Sequence, residues 1–261
     1  MRKAYEFPRY RTPGSDRRRL GSVSRAKAVS VREPAGRNPG RGVPAFVRRI
    51  AKPGAFQAQF GVARSYGQKS HDRYALQYQP GLDSELSPSW REFIQELHAQ
   101  PYRDFLCRTY GLGARERFVL SMHWHFAPNG ASVSPHTDAR HKIGSHIFYL
   151  NTPEDWDASW GGQTLVLDDG GRLSAHARHV ESLKKVAASE ILGNRSFMFK
   201  RTEHSWHSVD PIVCPPAHMR KVFIVVVNRV NLQVLWRRLR GKDPDGYPLY
   251  VRPAAVPAAA G

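Results

Sequence analysis

Six consecutive apolar residues, Val222 to Val227, constrain the fold of this chain more than any other feature. The run is far short of the roughly 18 residues needed to cross a bilayer, and it has the length of a strand. Apolar at every position, it has no side to offer to water, so it reads as a strand covered on both faces. Further strand-length runs flank it. Phe56 to Arg64 and Arg73 to Tyr78 come early, the second ended by Gln79-Pro80-Gly81. From Arg117 onward strands dominate: Phe118 to Phe126, Ser145 to Leu150, Gln163 to Leu167, Arg195 to Phe199 and Arg220 to Asn228. Pro128-Asn129-Gly130 and Asp168-Asp169-Gly170-Gly171 supply the turns. Residues 174–190 are polar and are expected as a surface loop or short helix.

Helices stand in front of this β region. Ser87-Pro88 predicts a helix start, with Ser as N-cap and Pro at the first helical position. Trp90, Phe93, Ile94 and Leu97 then follow at the spacing of one buried face. Pro101 restarts the pattern, and Tyr102, Phe105 and Leu106 extend it to Gly111. Leu232 to Arg240 reads as a basic helix after the last strand. Many short strands with turn signals, preceded by helices, predict a mainly β barrel or sandwich with supporting α-helices.

The net charge of +18 suggests nucleic acid until it is located. Residues 1–55 hold 15 basic and 3 acidic residues, a net of +12, and the remaining 206 positions carry the other +6. That first stretch is rich in Pro, Gly and Ser and has no apolar period, so residues 1–53 are expected as a disordered basic arm. Such an arm can hold phosphates at low salt or serve as a targeting peptide, although its prolines and glycines spoil an amphipathic helix. Residues 54–240 are expected as the folded domain, with its functional core at about 117–228, and residues 241–261 as a flexible tail. Two cysteines, Cys107 and Cys214, allow at most one disulfide and favour a reducing, cytoplasmic setting over a secreted scaffold.

The chemistry concentrates in two places. Pro135-His136-Thr137-Asp138 presents an imidazole and a carboxylate two residues apart, which on a strand point the same way. About 70 residues later comes Ser205-Trp206-His207-Ser208-Val209, and then Arg220. Two histidines and one carboxylate can cap one face of a borderline metal such as Fe(II), Mn(II) or Zn(II) and leave the opposite face open. An H-x-D triplet by itself arises easily among 12 histidines and 22 acids. Its companions, in order, carry the weight.

Those companions resemble the 2-oxoglutarate/Fe(II)-dependent dioxygenases, prolyl-hydroxylase-like branch, over residues 86 to 228. The resemblance rests on His136-Thr137-Asp138, Ile147-Phe148-Tyr149-Leu150-Asn151, Trp160-Gly161-Gly162-Gln163-Thr164-Leu165, Gly193-Asn194-Arg195-Ser196-Phe197-Met198-Phe199, His207-Ser208-Val209 and Arg220. It implies a double-stranded β-helix core of the jelly-roll/cupin-like kind. It implies His136, Asp138 and His207 as catalytic Fe(II) ligands, with 2-oxoglutarate and O2 as co-substrates. Arg220 is implied as the grip on the far carboxylate of 2-oxoglutarate, a task that suits a planar guanidinium fork. Tyr149 would add a hydroxyl to the same carboxylate, with a core tyrosine as the competing reading. The implied activity is hydroxylation of a C–H bond in a prolyl residue, an amino acid or a small metabolite, releasing succinate and CO2.

Several residues compete for roles. His204 stands three positions before His207 and faces the opposite way on a strand; the Ser-x-His-x-Val context favours His207. His123 and His125 share a strand face and could serve a cupin-like site, but read better as polar lining, because no glutamate follows. His141 and His146 fall in the metal-motif loop and could touch substrate, with solvated loop residues as the default reading. Trp124 and Phe126 could wall the pocket and read more safely as core. Lys221 neighbours Arg220 but faces the other side of its strand. Three rival functions accompany the oxygenase. The first is an inactive β-barrel whose basic arm contacts nucleic acid or acidic surfaces. The second is a Zn(II) hydrolase on the same ligands, which leaves Arg220 without a task. The third is a nucleic-acid demethylase, which lacks its expected Asn/Arg motif around Arg220 to Arg229.

Overall fold

The computed structural model describes residues 29–31, 57–59, 71–113, 116–175, 177, 180, 183–192 and 195–245. In chain order these hold β1 (Val29–Val31), β2 (Gln57–Gln59), β3 (Arg73–Gln77), α1 (Pro88–His98), α2 (Gln100–Tyr110), β4 (Phe118–Ala127), β5 (Val133–His136) and β6 (Lys142–Tyr149). They continue with β7 (Leu165–Asp168), β8 (Lys184–Ala188), β9 (Ser196–Lys200), β10 (His207–Val209), β11 (Arg220–Arg229) and α3 (Leu232–Leu239). Two sheets form: a seven-stranded one in the order β1-β9-β6-β11-β4-β3-β2 and a four-stranded one in the order β5-β10-β7-β8. Every pairing is antiparallel.

The apolar run of β11 is central because both its neighbours are long. It pairs with β4 over ten residues, Arg220 opposite Ala127 through Arg229 opposite Phe118, and with β6 on its other side. Alternation then sorts its side chains. Phe223, Val225 and Val227 point into a core shared with α1 and α2, built around Trp90, Ile94, Leu97, Tyr102, Leu106, Met122 and Trp124. Trp90, Trp124 and Phe223 meet with ring centroids 4.9–5.2 Å apart. Val222 joins a second apolar cluster with Tyr149, Trp156 and Phe197. The helices start and stop where their sequence signals stand. Ser87 Oγ accepts the Trp90 amide at 3.3 Å, and Gly111 ends α2 in the left-handed conformation.

The structure corrects several expectations. Lys184–Ala188, inside the stretch expected as loop or short helix, is a strand with all five residues exposed; it pairs with β7 as a polar edge. Val29–Val31, inside the expected disordered arm, pairs with β9, whose outer edge offers free backbone groups. Residues 241–245 are not tail: Asp243 is 2% exposed. His146 is a buried strand residue on the core side, where its Nδ1 meets the Tyr102 hydroxyl at 2.9 Å. His141 is buried as well. Both cysteines are free thiols. The rest of the 1–53 arm, the domain start at 54, residues 60–64, Gly193-Asn194 and the tail beyond 245 lie outside the described residues. Among the described residues no helix is long and apolar enough to cross a membrane.

Candidate metal centre and co-substrate pocket

His136 ends β5 and His207 begins β10, and the two are direct cross-strand partners. The pairing of these two short strands therefore removes the separation of about 70 residues and sets the rings 4.2 Å apart. Asp138 lies just beyond the end of β5. One donor atom from each of His136, Asp138 and His207 lies within 4.8 Å of the others, so the three close on one point.

Each side chain is aimed by a neighbour. His136 Nδ1 lies 2.9 Å from the Ser134 carbonyl oxygen, and His207 Nδ1 lies 3.0 Å from that of Ser205. A carbonyl only accepts, so both Nδ1 atoms carry the proton and both Nε2 lone pairs remain for a metal. Burial lowers the pKa of both imidazoles, which keeps them neutral as a metal requires. Asp138 is also buried, which opposes its ionisation, but Lys142, His207 and His136 outweigh this and hold its carboxyl at about 2. Lys142 Nζ donates to Asp138 Oδ1 at 3.1 Å and Ser145 Oγ to Oδ2 at 3.2 Å. Arg201 Nε donates to the Asp138 carbonyl at 3.1 Å. His204 is elsewhere engaged, with Nδ1 2.9 Å from Asp169 Oδ2 in the Asp168-Asp169-Gly170-Gly171 turn.

The triad opens on a cavity of about 880 Å³ that Arg220 also lines. Arg220 is 7% exposed, and among the described residues no carboxylate lies within ion-pair distance of it. Its Nε donates to the Gly162 carbonyl at 2.5 Å. A buried guanidinium facing a cavity without a counter-ion fits an anionic ligand. Gly162 makes room for it: φ is +87°, and a Cβ there would stand 3.0 Å from Arg220 Cδ. Tyr149 lies beneath, its ring centroid 5.6 Å from the Arg220 guanidinium carbon. Its hydroxyl is already engaged by Thr164 at 2.7 Å and Ser189 at 2.6 Å, so it supports the wall from behind. Lys221 points away and pairs with Asp155.

His123 and His125 line the cavity, whereas Trp124 lies in the core and Phe126 packs against it. The sequence reading missed Lys142, Ser145 and Arg201 as holders of Asp138, because nothing in their spacing announces a contact made by folding. It also missed Asp243 and Asp245, which lie against His123. The only signal was Asp243-Pro244-Asp245-Gly246 directly after a helix end, which reads as a turn.

Comparison with known proteins agrees with this geometry. Residues 121–227 match the family described as the 2OG-Fe(II) oxygenase superfamily. Among solved structures, a prolyl-4-hydroxylase from Pseudomonas putida is similar, with 18% identity and a TM-score of 0.53 over 78% of this chain and 94% of that one. So is a prolyl hydroxylase from Trichoplax adhaerens, solved with a hypoxia inducible factor oxygen degradation domain peptide fragment. It has 15% identity and a TM-score of 0.52, over 77% of this chain and 83% of that one. Among curated proteins the sequence has no match. Residues 121–227 are thus similar to the 2OG-Fe(II) oxygenase superfamily, and the fold is the double-stranded β-helix shared with these two solved structures. As an enzyme it falls among the dioxygenases that use Fe(II), with 2-oxoglutarate and O2 as co-substrates.

Proposed function

We propose that this dioxygenase hydroxylates a prolyl residue in a peptide, with His136, Asp138 and His207 holding Fe(II) and Arg220 holding the far carboxylate of 2-oxoglutarate. The observation that carries the reading is the convergence on one cavity of the triad and a buried arginine that has no carboxylate partner among the described residues. Bound there, iron and 2-oxoglutarate supply the oxidising power: O2 is consumed, 2-oxoglutarate leaves as succinate and CO2, and one oxygen atom enters a substrate C–H bond.

The chain's own residues do the placing. The Ser134 and Ser205 carbonyls fix the ring tautomers, and Lys142 and Ser145 keep Asp138 ionised and oriented. Arg220, seated on Gly162, sets the direction of the co-substrate. Ile147, Ile224 and Val226 give the cavity an apolar floor that limits water. The cavity is large for a metal and one small diacid, and the room that remains, lined by His71, Arg73, His123 and His125, suits a substrate segment. The likeness of the fold to two prolyl hydroxylases supports a prolyl residue over other targets.

The test is to incubate the Fe(II)-loaded enzyme with 2-oxoglutarate, O2 and a library of proline-containing peptides, with free amino acids in parallel. Succinate release coupled to gain of one oxygen atom on a peptide proline is the expected result. Coupled turnover on a free amino acid alone would move the assignment to small substrates.

A further inference from the structure

A second group of metal-type donors stands beside the triad on the same cavity, joined to it by Lys142, whose Nζ lies 3.1 Å from Asp138 Oδ1 and 3.7 Å from Asp245 Oδ1. On β4, Ser121 and His123 stand opposite Val226 and Ile224 of β11, and the turn after α3 lays Asp243 and Asp245 against them. His123, Asp243 and Asp245 each offer a donor atom within 4.8 Å of the others. His123 and Asp243 are each 2% exposed. Asp245 and His123 line the cavity, so an ion has a route in from solvent.

Two features separate this cluster from an ordinary buried ion pair. The first is spacing. His123 Nε2 lies 3.3 Å from Asp245 Oδ2 and 3.9 Å from Asp243 Oδ2. His141 Nε2 lies 3.6 Å and Lys142 Nζ 3.7 Å from Asp245 Oδ1. Good hydrogen bonds between nitrogen and oxygen span about 2.7–3.2 Å, so these contacts are loose. Donors that each sit about 2.0–2.2 Å from a common ion stand roughly 3–4 Å apart, which is the spacing found. The second feature is an unfilled acceptor. Asp245 Oδ1 is buried and makes no hydrogen bond. Lys142 divides its ammonium between Asp245 and Asp138, where it sits closer, at 3.1 Å. Around the cluster, Ser121 Oγ donates to Asp245 Oδ2 at 3.0 Å, and Asn228 Nδ2 donates to Ser121 Oγ at 3.2 Å. The Asn228 Oδ1 atom is buried in the same network without a hydrogen bond.

We infer that His123, Asp243 and Asp245 form a second divalent-cation site that ties the C-terminal turn to β4. One imidazole and two carboxylates suit a first-row ion such as Mn(II) or Fe(II) and are richer in oxygen than the triad. The ion joins residues 120 positions apart in sequence. It thereby holds in place the part of the cavity wall formed by Asp245, Gln233 and Arg237, the last of which donates to the Pro244 carbonyl at 2.7 Å. The site draws on none of the three triad ligands, although Lys142 borders both, so each assignment is tested by a substitution at its own ligands.

The experiment counts Mn(II) bound to the full-length, metal-free chain by electron paramagnetic resonance of the free ion, with circular dichroism confirming the fold. Wild type binds two ions. His207→Ala removes one of them and Asp243→Asn the other. A count that Asp243→Asn leaves unchanged overturns the second site, whatever His207→Ala does. A count that falls in Asp243→Asn but not in His207→Ala supports it and rejects the triad. If Asp243→Asn does not fold, His123→Asn carries the same comparison. If neither folds, wild type and His207→Ala decide: two ions and then one support the site, and one and then none overturn it.

Discussion

The two faces of the β6–β11–β4 layer differ in almost everything except their backbone. On one face Met122, Trp124, Phe148, Phe223 and Val225 pack under α1 and α2. On the other, residues one position along the same strands, His123, His125, Ser145 and Arg220, line a cavity. A shift of one residue in register would exchange the two. The comparison teaches that one period-2 pattern carries both the stability and the chemistry, so changes on the two faces should separate cleanly in experiment.

The sharpest test of that separation is Asp138→Ala. On the cavity side, it should abolish turnover and weaken Fe(II) binding by more than the roughly 100-fold expected from losing an outer-shell partner. Thermal unfolding of the metal-free protein should change little by comparison. Trp124→Ala, on the opposite face, should cost about 3–5 kcal/mol in denaturant unfolding. The fraction that stays folded should bind Fe(II) as wild type does, and a lost metal affinity there would break the division between faces. Arg220→Ala should raise the 2-oxoglutarate concentration needed for half-maximal rate about 10- to 100-fold, the loss of a charge-assisted anchor, with Fe(II) binding intact. Gly162→Ala should act in the same direction but less, by displacing the Arg220 side chain, and should also lower stability, because a residue with a Cβ is strained at φ +87°.

The smallest effect concerns pH. Burial lowers the His146 pKa to about 3, so the ring is neutral in the fold and takes up a proton near 6.5 once unfolded. Stability from this ring is complete above about pH 6.5 and is lost as pH falls from there towards 3, at up to about 1.4 kcal/mol per pH unit. His125, His136 and His207 shift the same way and add to the slope. His146→Gln, which can keep the Tyr102 contact, should therefore flatten the loss of stability between pH 6.5 and 5 by about one proton's worth, read from urea midpoints.

Much of this division was legible before any coordinates. The uniform apolarity of Val222 to Val227 implied cover on both faces, and Ser87-Pro88 with Trp90, Ile94 and Leu97 placed the helix that supplies one cover. His136, Asp138, His207 and Arg220 could be singled out because their order along the chain matched a family. What stayed hidden depends on pairing. No pattern within β5 or β10 says that His136 and His207 will be opposite one another. The exposed edge strand Lys184–Ala188 has no apolar side for a period to reveal. The burial of Asp243 and Asp245 comes from the turn after α3 folding back onto β4, and a polar turn looks the same in sequence whether it lies in solvent or against a sheet.

The central claim is that the cavity face binds Fe(II) through His136, Asp138 and His207 and 2-oxoglutarate beside it. Anaerobic titration of the metal-free protein with Fe(II) and 2-oxoglutarate, followed by the visible charge-transfer absorption of the chelate, tests it without a substrate. The account predicts a band in wild type that survives in His204→Ala and disappears in His207→Ala. A folded wild-type protein that gives no band, or a band indifferent to His207→Ala, would contradict it.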